Sequence, residues 1–368
     1  MVLPSTSATF GKTCGLVQDT YFLVHRCEEQ HLENPERLAA IYALLHARAS
    51  LGLSLIAPRP ASLQELKLVH SHDYVEQVSA TAGSPFSQLS ADTYACAETF
   101  SVARLSAGGV LSAVDAVAGG RVRNAFVLAR PPGHHAEAGR ANGFCIFNNV
   151  ALGAQYARRI LGLNKVLIVD WDLHHGNGIQ HVFEQDPSVL YVSTHQYPLY
   201  PGTGHLLEVG RGRGEGYTIN IPLKGGWDDA DFTSLYRQLV EPLSRAFEPD
   251  LILVAAGFDI HHKDPLGKMK VTAAGFAALT RIVMQIAAAC CRERLVLVLE
   301  GGYHHLATAE SVHAVLDELC DRTCSDVGRL AAMARSGRVD PVLRRCREVF
   351  VPFWKCLADL GASRPRCG

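Results

Sequence analysis

The sequence predicts an α/β fold, a single doubly wound domain whose mostly parallel sheet is flanked by helices. Three observations predict it. Short apolar runs recur from residue 124 onward, segments with helical apolar spacing separate them, and polar titratable residues gather where the runs end. The runs are AFVLAR (125–130), KVLIVDWD (165–172), SVLYVSTH (188–195), YTINIPL (217–223), DLILVAAGFD (250–259) and RLVLVLEGGY (294–303). Their hydrophobicity is continuous rather than alternating, as in strands covered on both faces of a parallel sheet. Segments 148–161, 231–247 and 273–290 carry the helical pattern between them. Earlier helices are expected over 35–49 and 99–117, and an amphipathic helix around 341–360 packs on the outside. The expected domain covers 1–368, with a core over about 20–320 and a C-terminal helical extension over about 325–360.

With 368 residues, 48% of them hydrophobic, the chain can bury a sizeable core. Charged residues make up 19%, and 35 Lys+Arg nearly equal 36 Asp+Glu, with no long basic run. That balance argues against nucleic acid and anionic membrane as partners. No uninterrupted apolar run approaches the ~18 residues of a membrane span. The opening MVLPSTSATFGKTCGLVQDTYFLVHR lacks the basic start and apolar centre of a signal peptide. Eleven scattered cysteines, an odd number without a C-x-x-C, read as reduced thiols, with Cys145, Cys290 and Cys291 serving core packing. A reducing cytoplasm is the expected location.

In open parallel sheets ligands bind beyond the carboxyl ends of the strands. There the chain places His134 and His135 after Arg130, the segment DWDLHHGNG after the second run, His195 after the third, Asp259 after the fifth and Tyr303 after the last. Asp172 and His174, two apart, can converge on one point, and Asp259 completes an oxygen–nitrogen–oxygen set. Three protein ligands with an open position suit a catalytic zinc. One D-x-H alone would be better explained as capping strands and helices; the recurrence at several strand ends favours a metal site. His134 and His135, following Pro-Pro-Gly, are acid/base candidates, with Asp170 and Asn177 as orienting partners. Tyr303 follows two glycines and can bring its hydroxyl to a developing oxyanion, although a GGY is equally an ordinary turn.

The segments RPPGHHAEAGRANGFCIFNN, VDWDLHHGNG, YPGTG, AAGFDIHHKDPLG and LEGGY together resemble the histone deacetylases, most of all the class II branch and its bacterial relatives. The likeness runs from about Glu33 to Leu319, with NPERL (34–38) as an early marker. It implies the arginase/deacetylase fold and hydrolysis of an N-acyl amine, acetyl-lysine above all, by one zinc on Asp172, His174 and Asp259. By the same likeness His135 is the general base and later acid, supported by Asn177. His134, paired with Asp170, assists electrostatically, and Tyr303 stabilises the oxyanion. Gly143, Phe144 and Tyr200 match the walls of a narrow channel for the acyl-lysine stem, Leu266 and Gly301 match substrate-binding positions, and Arg37 matches an arginine behind the site. Structural potassium is implied near Asp170, Asp172, His174, Ser193 and Thr194, and again near Phe183, Asp186, Val189 and Tyr217. The oligomeric state is left open.

Two positions depart from the family pattern. Tyr200 stands where a phenylalanine is usual, and the rim aspartate that grips the substrate backbone has no secure counterpart, Asp92 being the nearest. Three rival readings follow. A dinuclear manganese hydrolase of the arginase type needs extra carboxylates, but the chain has Gly176 and His261 at those places. An acyl-lysine binding module with weak catalysis would dispense with Tyr303. An acetylpolyamine amidohydrolase of the class II branch carries a glutamate where this chain has Leu266.

Overall fold

In the computed structural model of the chain, residues 13–26, 31–48 and 52–358 are described. The strands are, in chain order, β1 (Cys14–Val17), β2 (Ser54–Leu55), β3 (Ser87–Gln88), β4 (Tyr94–Ala95), β5 (Asn124–Val127), β6 (Val166–Asp170), β7 (Val189–Gln196), β8 (Thr218–Leu223), β9 (Leu251–Ala256) and β10 (Leu295–Leu299). Eight form one sheet in the order β2-β1-β5-β10-β9-β6-β7-β8, and β3 pairs with β4 in a small hairpin. Every pairing within the large sheet is parallel. All residues of β5, β6, β9 and β10 are buried, the burial that their continuous apolar runs predict.

Helices cover the sheet in two groups. Pro35–Ala47, His305–Leu319 and Ala273–Cys290 pack together, and Thr99–Ala118 packs with Asn149–Arg159. Asn34 caps the first of these helices through its side chain, with Pro35 at the start, so NPERL is a helix-start signal as well as a family marker. The helices Thr99–Ala118 and Ala273–Cys290 are long and apolar enough to cross a membrane by length and composition, although neither is an uninterrupted apolar run, Arg104 and Asp115 breaking the first and Arg281 the second. Within this fold their most apolar stretches are 78% and 56% buried against protein.

Two helices differ from expectation. The one predicted over 231–247 breaks into Asp229–Leu235, a π turn at Tyr236–Val240 and Glu241–Phe247. Pro242 has no N–H and its ring would strike the carbonyl four residues back, and the wider turn, with the Glu241 N–H bonded to the Tyr236 carbonyl, makes room. The outer helix runs Ser336–Phe350, not 341–360, and Pro341 lies inside it because the carbonyl it leaves free belongs to exposed Gly337 near the helix start. β1 lies inside the sheet although it precedes residue 20. The nine described cysteines are free thiols, Cys145 and Cys291 buried and Cys290 half-buried; Cys27 and Cys367 lie outside the described residues, as does most of the opening segment.

The topology explains where chemistry collects. β5, β10, β9 and β6 are consecutive in the sheet although far apart in sequence. Parallel neighbours lie ~4.8 Å apart, so residues leaving their carboxyl ends meet at one place.

Candidate active site

Asp172 and His174 leave the end of β6, and Asp259 leaves the end of β9, its neighbour. One ligating atom from each lies within 4.8 Å of the others, all three residues buried. His174 Nδ1 stands 3.1 Å from Asp172 Oδ1 and 3.0 Å from Asp259 Oδ2. The outer carboxylate oxygens are held by backbone amides: Gly301 N–H donates to Asp172 Oδ2 at 2.9 Å and Leu173 N–H to Asp259 Oδ1 at 2.8 Å. Glycines make this approach possible. A Cβ on Gly301 would lie 2.5 Å from Asp259 Oδ2 and 2.6 Å from Asp172 Oδ2, and one on Gly257 2.0 Å from Asp172 Oδ2. Burial and the Asp172 charge push the Asp259 carboxyl upward, so the trio asks for a cation to balance two crowded carboxylates. Among the described residues no other trio of His, Cys, Asp or Glu side chains converges in this way.

The histidine pair sits against this trio. His134 Nδ1 lies 3.2 Å from Asp170 Oδ2, and its Nε2 faces Asp172 Oδ1 at 3.8 Å. Burial alone would lower the pKa of His134, but the Asp172 and Asp170 carboxylates raise it to about 10. His135 Nδ1 lies 2.8 Å from Asn177 Oδ1. Burial, then the neighbouring His134 and His174, holds His135 well below the usual histidine value. Adjacent residues of one turn are thereby driven in opposite directions, the pattern of an acid/base site.

The Tyr303 phenol is pushed far up by burial, against the pull of Arg37, and stays protonated. Arg37 lies 4.7 Å from the Tyr303 ring centroid and donates to the Gly302 carbonyl at 2.6 Å and the Glu300 carbonyl at 2.7 Å, so it clamps the EGGY turn from behind. Gly301, expected to bind substrate, braces Asp172 through its N–H and accepts from Phe258 N–H through its carbonyl, which keeps a second lone pair. Phe144 and Tyr200 flank the site: Phe144 packs edge-on to Tyr303 at 6.1 Å, and Tyr200 edge-on to His135 at 5.1 Å. Phe144 holds a left-handed φ of 68°, strained for a bulky residue. Asp92 Oδ1 accepts from Gly143 N–H at 3.1 Å and Thr93 Oγ1 from Phe144 N–H at 3.0 Å, which fixes that turn. The Asp92 carboxylate also faces the Tyr200 hydroxyl and, after burial, helps raise its pKa. Leu266 is half-buried against the core; its N–H and that of Tyr303 donate to the two oxygens of Asp264.

The positions expected to hold potassium fall in two places. Asp170 and Ser193 are register partners on β6 and β7, where the Ser193 hydroxyl pairs with His195 and that of Thr194 with Tyr236. Phe183, Asp186, Val189 and Tyr217 gather at the amino ends of β7 and β8, away from the trio. Several contributors escaped the sequence reading. Glu300 Oε2 accepts from Gly133 N–H at 2.7 Å and His134 N–H at 3.1 Å, holding the histidine turn. Glu33 pairs with both Arg130 and Arg37, and Glu137 Oε1 accepts from Asn177 Nδ2 at 2.6 Å. Glu300 stands inside LEGGY, where a carboxylate directly after the apolar run LVLVL was the available signal, whereas Glu33, one residue before NPERL in the polar stretch CEEQHLENPER, carried none. A second metal does not fit: a Cβ on Gly176 would already lie 2.3 Å from Asp170 Oδ2, and His261 stacks on Phe276.

Comparison with known proteins agrees with this geometry. Residues 31–319 match the histone deacetylase domain. The chain is 39% identical to histone deacetylase 15 of Arabidopsis thaliana over 96% of its own length and 64% of that protein's. It is 41% identical to the polyamine deacetylase HDAC10 of Homo sapiens over 89% of its own length and half of that protein's. A probable deacetylase of Archaeoglobus fulgidus is 40% identical over 78% of this chain and 81% of its own length. The crystal structure of the HDA15 HD domain superposes with a TM-score of 0.86 at 38% identity, covering 95% of this chain and 97% of that one. The shared domain, matched over most of its length in sequence and in structure, places this chain in the histone deacetylase domain family.

Proposed function

We propose that the chain is a zinc-dependent amidohydrolase that releases the acyl group of acyl-lysine side chains in polypeptides. The observation that carries this reading is the convergence of the Asp172, His174 and Asp259 ligand atoms within 4.8 Å, beside a histidine tied to Asn177. One imidazole and two carboxylates suit zinc, which would polarise the acyl carbonyl and acidify a water. Asn177 Oδ1 accepts the Nδ1–H of His135 and leaves Nε2 free, the tautomer that a base needs. His135, held neutral, takes a proton from water at Nε2 and delivers it to the departing amine. His134, kept cationic by Asp170 and Asp172, supplies positive charge, and the Tyr303 hydroxyl donates to the negative charge growing on the acyl oxygen. Gly143, Phe144 and Tyr200 embrace the aliphatic stem. Potassium at the two clusters described above is part of the same proposal.

A second reading, an acetylpolyamine hydrolase, draws on the relatives that bear that name. Leu266 favours the peptide, because leucine at that position offers a cationic polyamine nothing. The test is kcat/KM of the purified protein, its zinc counted, on acetyl-lysine peptides and on acetylspermidine. We expect about one zinc per chain and faster turnover of peptides. Tyr303→Phe should lower turnover by ~10²–10³ with zinc content unchanged. A need for two manganese ions, near-normal turnover by Tyr303→Phe, or preference for the polyamine would each overturn the part it addresses.

A further inference from the structure

A second cavity, of about 590 Å³, opens behind the loop that carries Tyr200. Tyr197 lines it, and Tyr200, three residues on, packs on His135 at the candidate active site. Three residues span at most ~11 Å of chain. The cavity therefore opens within about that distance of the residue that flanks the candidate active site.

The chemistry of the cavity is one-sided. Four basic residues line it, His205, Lys224, Arg338 and Arg345, and none of its lining residues is acidic, in a chain of net charge −1. Lys224 and Arg345 are exposed and have no carboxylate partner among the described residues. Arg338 turns its Nε toward buried Asp231 at 3.7 Å, but that aspartate is already held by Arg335. The Arg338 Nη1 is buried without a hydrogen-bond partner among the described residues. It lies over Gly226, where a Cβ would come within 2.9 Å of it. A buried guanidinium nitrogen with no acceptor calls for one. The basic strip continues toward the channel rim: Lys268, exposed and two residues from Leu266, donates its N–H to Gln196 Oε1 at 2.9 Å and accepts Gly226 N–H at 2.6 Å.

We propose that this cavity is an anion subsite that receives a carboxylate or phosphoryl group borne by the polypeptide whose acyl-lysine enters the channel. The inference rests on the acyl-lysine reading above. An extended peptide advances ~3.3 Å per residue, so the anionic side chain belongs about three or four positions from the acyl-lysine. Such a subsite would also disfavour a polyamine, whose charge is of the wrong sign for a basic strip.

The test compares acetyl-lysine peptides that differ only at that distance, carrying glutamine, glutamate or phosphoserine, on wild-type protein and on the double variant Lys224→Gln/Arg345→Gln. Both substituted side chains are exposed and unpaired, so the fold and the turnover of the neutral peptide should be unchanged. Wild type should prefer the anionic peptides by roughly five- to tenfold in kcat/KM at low salt, and the preference should shrink with added salt. The double variant should lose it. Calorimetry with the same phosphoserine peptide bearing unmodified lysine, and with inorganic phosphate, reads the subsite independently of turnover. Peptide binding that disappears in the double variant upholds the subsite even if no acetyl-lysine peptide is hydrolysed, in which case only the catalytic reading fails. Equal kcat/KM for the three peptides, a preference that survives in the double variant, or binding of free phosphate with no gain for anionic peptides would overturn the proposal.

Discussion

His135 and Asn177 show how much one hydrogen bond decides. An imidazole oriented by a neutral amide gains the right tautomer without the charge that would stabilise its protonated form. Asn177→Asp places a carboxylate 2.8 Å from His135 Nδ1 and removes the donor that Glu137 now accepts at 2.6 Å. Negative charge then accumulates on one side of the ring, and the His135 pKa must rise. We expect the acidic limb of the pH–rate profile to move upward while zinc content holds. An unchanged acidic limb with activity retained would detach Asn177 from the base. Asn177 was legible as an orienting partner because its segment, like the histidine turn, leaves the carboxyl end of a strand, but β10 and β9 separate those two strands, and its assignment to His135 came from the family resemblance. Glu137 was not, because nothing in AEAG distinguishes a surface glutamate from one that reaches a buried amide.

Turns between strand and helix are the elements that aim the ligands, and glycine sets how closely they approach. Gly301→Ala would put a methyl group 2.5 Å from Asp259 Oδ2 and 2.6 Å from Asp172 Oδ2, so at least one carboxylate must swing away. The expected outcome is a large loss of zinc affinity, read by competition with a chelator, with far-UV circular dichroism close to wild type. Wild-type affinity would mean that the EGGY turn relaxes freely and does not brace the trio. At this scale the strands buried on both faces were legible, since their apolar runs are continuous and end at the polar residues of the candidate site. β1 and β2, of four and two residues, were too short to show a pattern. The helix predicted over 231–247 was legible in extent but not in its π turn, which follows from a single proline. The clamp of Arg37 on Gly302 joins residues 265 positions apart, and no local pattern reports such a contact.

Across the whole molecule, the same deep burial that shapes the site makes the fold sensitive to acid. His25, His70 and His195 are all buried, and burial is the largest cause pushing each of them down to about 4. Glu33 goes to about 2, because Arg130 and Arg37 outweigh the cost of its burial. For a histidine with a depressed folded value, the unfolded chain binds the extra proton between its own pKa, ~6.5, and the folded one. Stability is therefore full above ~6.5 and is lost as pH falls toward 4, and Glu33 adds a further loss below ~4.5. His70 isolates the effect. Its Nε2 accepts the Asn148 N–H at 2.9 Å and its Nδ1 lies 3.0 Å from the Glu137 carbonyl, so protonation of Nε2 would set two N–H groups against each other. The comparison to make is urea unfolding of wild type and His70→Gln across this range, since loss of metal at low pH affects both alike. Wild type should be the more stable near pH 7. The gap should narrow by on the order of 3 kcal/mol between pH 6.5 and 4, because burial holds the folded His70 down to about 4. A gap that stays constant over that window would mean His70 is protonated in the fold and that another group carries the acid sensitivity.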